Sequence, residues 1–115
     1  MSKIIIEKTY DSGCGTGLRG YILATYASLV RTFGEPTIKY DGVAGVDYEK
    51  TDVEWIVRIN GVLVTIYNWE NGRASNGPTA PAVEQILDWN VGGKSGGDPR
   101  SLVEKAINSG VTLRL

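Results

Sequence analysis

The sequence predicts an α+β fold: a mainly antiparallel sheet with a central hairpin, packed by two principal helices. Three observations carry this expectation. Asn60-Gly61 separates two alternating runs, TDVEWIVRI and VLVTIYNW. That pair suits a two-residue type I′ turn because both positions take positive φ. Apolar residues recur at helical spacing in GYILATYASLVRTF. They recur again in SLVEKAIN, behind a good N-cap, Asp98, and Pro99 at the first helical position.

The elements follow in chain order. Residues 3–9 read as a strand because Ile4, Ile5 and Ile6 are β-branched. A helix is expected over about 19–33, with Ile22, Leu23, Tyr26, Leu29, Val30 and Phe33 on one stripe. Gly34 fits its C′ position, and Pro36 bars continuation. Residues 37–40, TIKY, read as a short strand and 41–51 as a glycine-rich loop. The two-residue turn sets the hairpin register, with Ile59 opposite Val62, Val57 opposite Val64 and Trp55 opposite Ile66. Those side chains make a core face, which the helix stripe covers. The opposite face mixes Asp52, Glu54 and Arg58 with Ile56, Leu63, Tyr67 and Trp69. It reads either as a second partial core or subunit contact, or as a ligand or partner surface. A helical turn near 80–85 precedes a strand at 86–91, and GGKSGG is a loop. The last helix spans about 99–109, with Leu102, Val103, Ala106 and Ile107 inward and Gly110 at its end. VTLRL reads as a final strand.

Composition narrows the function classes. The chain has 115 residues, which suits one domain with one core. A net charge of −1 gives no global field to recruit nucleic acid, so any anion site is local. No apolar run has the length of a membrane span, and MSKIIIEK lacks a signal-peptide apolar region. A single cysteine, Cys14, forms no internal disulfide and points to a reducing, cytosolic setting.

The absence of histidine removes histidine triads, Cys-His dyads and zinc-histidine sites. Cys14 has no evident general base and reads as a small loop residue. Asp52 and Glu54 alternate onto one strand face, the geometry of a paired acid or Mg²⁺ site or of a solvated strand edge. NVGGKS imitates the end of a phosphate-binding loop, but Asp88 stands where the first glycine is needed. Lys94 beside these glycines still suits an anion.

GCGTGLRG contains Gly15-x-Gly17-x-x-Gly20, the dinucleotide fingerprint, with Asp41 about 20 residues on. DSGC separates it from the preceding strand, and the next strands form a hairpin, so a dinucleotide fold is rejected. A local anion site remains, built from amides at the start of a helix and Arg19.

The ordered motifs GTGLRGYILATYASLVRTFGEPT, KTDVEWIVRINGVLVTIYNWENG and ILDWNVGGKS resemble a family of small proteins common in bacteriophages and prophages. The resemblance covers about two-thirds of the chain and implies an accessory phage protein acting against host defence in the host cytoplasm. Such proteins sequester a nucleotide immune signal or block a defence effector, as anti-CRISPR and anti-restriction proteins do.

The expected function is therefore non-enzymatic sequestration of a nucleotide-like signal. Arg19, Arg58 and Lys94 would hold phosphates, and Tyr67, Trp69 and Trp89 would stack bases. No cofactor or metal is expected. Membrane and nucleic-acid partners are disfavoured, and a homo-oligomer suits a ligand too large for one small chain to enclose. The alternatives are a protein-binding inhibitor of a defence effector and a small metal-dependent hydrolase or nuclease built on Asp52 and Glu54.

Overall fold

The computed structural model describes residues 3–9, 15–39, 51–77, 79–94 and 96–114. The order is β1 (Ile6–Lys8), β2 (Gly17–Leu23), α1 (Tyr26–Phe33), β3 (Ile38–Lys39), β4 (Val53–Ile59), β5 (Val62–Tyr67), α2 (Arg73–Asn76), a 3₁₀ turn (Val83–Gln85), β6 (Asp88–Gly93) and α3 (Pro99–Ser109). The strands form one antiparallel sheet in the order β1-β4-β5-β6-β2, and β3 pairs with the start of β4. The architecture is α+β, as the residue patterns imply.

The hairpin register is the one set by a two-residue turn, including Ile59↔Val62 and Trp55↔Ile66. Asn60 and Gly61 take φ of 51° and 81°. Asn60 also fastens β1: its amide donates to the Ile5 carbonyl at 2.9 Å, and its Oδ1 accepts from the Ile5 amide at 2.8 Å.

The principal core lies between α1, α3 and one sheet face, where Trp55, Val57, Val64, Ile66, Trp89 and Val91 are buried. Two indoles clasp the ends of α1. Trp89 Nε1 donates to the Ala24 carbonyl at 2.9 Å, and Trp55 Nε1 donates to the Gly34 carbonyl at 2.8 Å. The two rings meet edge to face at 5.5 Å, and Tyr26 packs over both. Each buried indole N–H is thereby satisfied without leaving the core.

The expected helix over 19–33 is corrected. Residues 17–23 form the edge strand β2, and the helix begins only at Tyr26 behind Thr25. Thr25 Oγ1 accepts the Ser28 amide at 3.1 Å, an N-cap bond that marks the true start. Burial explains the change. β2 pairs along β6, placing Ile22 in the core while Tyr21 and Leu23 point outward, a period of two rather than 3.6. A register shift between Leu18 and Gly20 marks a bulge at Arg19. Arg100 of α3 lies against Gly20 and donates from Nε to the Tyr21 carbonyl at 2.9 Å. This contact shields part of the sheet's outer edge.

The expected final strand is also corrected, to an isolated parallel bridge between Glu7 and Arg114. The Leu113 amide donates to the Thr32 carbonyl and the Arg114 amide to the Ile6 carbonyl, both at 2.8 Å. The chain end thus ties α1 to β1. The last helix runs from Pro99 to Ser109, capped by the Asp98 side chain as expected. The strand expected at 86–91 runs instead from Asp88 to Gly93. Cys14, Asp41 and nearly all of the loop expected over 41–51 lie outside the described residues.

Candidate functional site

The second sheet face has no described helix packed against it. Strand pairing aligns Glu54 of β4, Tyr67 of β5, Asn90 of β6 and Tyr21 of β2 in one row across four strands. At ordinary strand spacing this row spans about 14 Å. Trp69, 49% exposed, meets the Tyr67 ring edge to face at 6.4 Å. The row therefore combines aromatic rings, an amide and a carboxylate.

The adjacent row is Ile56, Thr65, Gly92 and Leu18. A Cβ at Gly92 would collide with Thr65 Oγ1 and touch the Tyr67 ring, so only glycine lets these side chains lie flat there. Ile56, Leu63 and Thr65 are buried. This middle part is a second small core, as one of the two sequence readings held. The aromatic row beside it stays accessible at Tyr21 and Trp69.

Electrostatics single out Glu54. Its carboxyl is pushed above the ordinary glutamate value by burial. Its register neighbours are Ile38 and Tyr67, neither of them a cation. The Tyr67 hydroxyl is likewise pushed up, first by burial, against a hydrogen bond from the Asn90 side chain that lowers it; the nearby Glu54 and Tyr21 add to the rise.

The structure disperses the other sequence-expected site residues. Trp89 is fully buried, so it offers no face to a base. Alternation along β6 points Trp89 at α1 and gives the open face to Asn90, a residue absent from the set expected to bind ligand. Register alone would have revealed Asn90.

Arg19 and Lys94 come together at the glycine-rich end of β2 and β6. Arg19 Nε donates to the Gly93 carbonyl at 3.0 Å, and the Lys94 stem passes Gly15. The helix expected to start beside Arg19 begins only at Tyr26, and residues 17–23 are strand, so its N-terminus is removed from the anion site expected at Arg19; Pro99, the first residue of α3, packs against Gly93 instead. Arg58 is spent locally: its Nη1 donates to the Gly61 carbonyl at 3.0 Å across the turn, and Glu7 stands opposite it. Lys94 follows Gly93, the partner of Val64, and so stands level with Leu63 and Arg58. That level is four residues from Tyr67, about 13 Å along the strand.

Asp52 and Glu54 do not form a paired acid site. The Asp52 carboxylate accepts the Arg73 amide at 3.1 Å and the Ala74 amide at 3.3 Å, capping α2. It also accepts from Nδ2 of the buried Asn68 at 3.0 Å, while Asn68 Oδ1 takes the Asp52 and Val53 amides. Asp52 is a fastener between β4 and the chain after β5. Among the described residues no group of three or more acidic or cysteine side chains is placed to hold a metal ion. No described helix is long and apolar enough to cross a membrane.

A separate cavity of about 400 Å³ opens where β1 and β3 leave β4 uncovered, lined by Phe33, Pro36, Thr37, Ile56 and Leu113 among others. None of the six residues expected to bind ligand lines it.

Comparison with known proteins gives no match: no family model, no curated protein and no solved structure aligns with the chain.

Proposed function

We propose that this protein binds a nucleotide-like ligand on the sheet face that no described helix covers and withholds it unchanged, as a phage-type counter-defence sponge for a host immune signal. The observation that carries the reading is the aligned row Glu54–Tyr67–Asn90–Tyr21 with Trp69 at its side. A planar base stacks on such rings at about 1–3 kcal/mol per base. The carboxylate and amide supply orientation, as sparse polar groups do in ligand sites. Lys94 and Arg19, at the glycine-rich end, offer cations to phosphate groups at the far end of an extended ligand. The motif resemblance supplies the phage setting.

The test is a thermal-shift panel of cyclic di- and trinucleotides, cyclic ADP-ribose isomers and NAD. A binding ligand raises Tm by mass action, and Trp69→Ala abolishes the rise. Ligand recovered from the denatured complex has its original mass. No shift across the panel, or recovery of a cleaved product, overturns the reading.

A second reading rests on a different observation. Leu18, Tyr21 and Leu23 of the outermost strand are 47%, 61% and 80% exposed. Large apolar and aromatic side chains gathered on one edge suit a protein contact, either a host effector or a second copy of this chain. Native mass measurement separates these two partners.

A further inference from the structure

Glu54 stands out among the carboxylates of the described residues. It is half-buried on the sheet face, takes no hydrogen bond or ion pair from another described residue, and has the apolar Ile38 on one side and the Tyr67 ring on the other. Burial alone accounts for the upward displacement of its carboxyl. An ionised carboxylate is an acceptor only, with two oxygens able to take two parallel N–H donors. Leaving such a group partly desolvated and unpaired is unfavourable, so its partner belongs to the ligand.

The nucleobases differ at this point. Guanine presents N1–H and the 2-amino group side by side, two donors spaced for one carboxylate. Adenine sets its 6-amino donor beside the N1 lone pair, and cytosine sets its 4-amino donor beside the N3 lone pair. Each would place a lone pair against the carboxylate. Uracil has one N–H between two carbonyl oxygens. Only guanine satisfies both oxygens of Glu54 while its face lies against an aromatic ring.

We infer that the ligand carries a guanine base, read on its N1–H and 2-amino edge by Glu54 and stacked on the Tyr67–Trp69 pair; this rests on the nucleotide reading of the face. A site built to accept two hydrogen bonds rejects analogues lacking them, because its own acceptors are left unpaired. One bidentate pair discriminates by about 1–3 kcal/mol, or about 5- to 150-fold.

Titration calorimetry with GTP, ITP and ATP, and with cyclic di-GMP and cyclic di-AMP, tests it. In each pair the guanine compound binds at least about tenfold tighter than the adenine one. ITP, which keeps N1–H and lacks the 2-amino group, falls between GTP and ATP. Glu54→Gln exchanges one acceptor for a donor, so the guanine preference falls below about threefold. The unliganded variant keeps a Tm at or above that of the parent, which shows that the fold is intact. Equal binding of guanine and adenine compounds overturns the inference and leaves the nucleotide reading standing. Absence of binding by every compound here and in the wider panel overturns both.

Discussion

Glu54 illustrates how the burial of a single side chain makes stability depend on pH. Its carboxyl titrates higher in the folded chain than in the unfolded chain, because burial disfavours the charged form. Below the ordinary glutamate value both states hold the proton and the residue has no pH-linked effect. As pH rises from that value through the raised folded value, the unfolded state loses its proton first, and stability falls. Glu54→Gln is therefore more stable than the parent at pH 7, and the difference closes as pH drops below the ordinary glutamate range. Thermal unfolding of both proteins from pH 3 to 8 checks this; a constant gap across that range would show that titration of Glu54 is not its source. Asp52 differs from Glu54 in its hydrogen bonds. Its acceptors are filled by the Asn68 amide and the first amides of α2, so its charge serves the fold.

Among the elements, the β4–β5 hairpin organises the candidate site, since its register places Glu54 opposite Tyr67 and keeps Trp55 and Ile66 in the core. A slip of one residue would exchange the two faces. Gly61 takes φ of 81° at the turn, and a Cβ added there would meet open space. Gly61→Ala therefore isolates the backbone cost of a left-handed residue, about 1–2 kcal/mol. Urea unfolding reads this as a lower midpoint at unchanged slope. A loss below about 0.3 kcal/mol would mean that the turn tolerates Ala without strain. Strand β2 shows the converse dependence. It is an edge strand with a bulge, held by β6 on one side and touched by Arg100 on the other.

At the scale of the molecule, the chain end closes the structure. Leu113 and Arg114 donate backbone bonds to α1 and to β1, joining segments about 80 to 110 residues distant in sequence. Leu113 also packs against Gly34 at the end of α1. Removing residues 111–115 is expected to cost about 2–5 kcal/mol, from two hydrogen bonds and the partly buried Val111 and Leu113. Calorimetry would show a lower Tm with a single transition, as a one-core domain requires. An unchanged Tm would show that the clasp adds nothing to the fold.

The parts legible in the sequence were those governed by local chemistry. Asn60-Gly61 specifies its turn and hence the hairpin register, because a two-residue connection permits few geometries. Asp98, Pro99 and Gly110 delimit α3 through caps acting within one turn of chain. The same alternation puts Tyr67 and Trp69 on one face, where their rings meet edge to face. Other features depended on neighbours distant in sequence. Ile22, Tyr26, Leu29 and Phe33 fit a helical stripe, yet the open edge of β6 draws residues 17–23 into the sheet. Trp89 and Asn90 exchange roles according to which way β6 faces, and that is decided by its pairing with β5. That Ile38 and Tyr67 flank Glu54, and no described cation does, is likewise a matter of sheet pairing. Local propensity determines turns and caps; which face of a strand is buried, and which charge lacks a partner, is decided only when the sheet assembles.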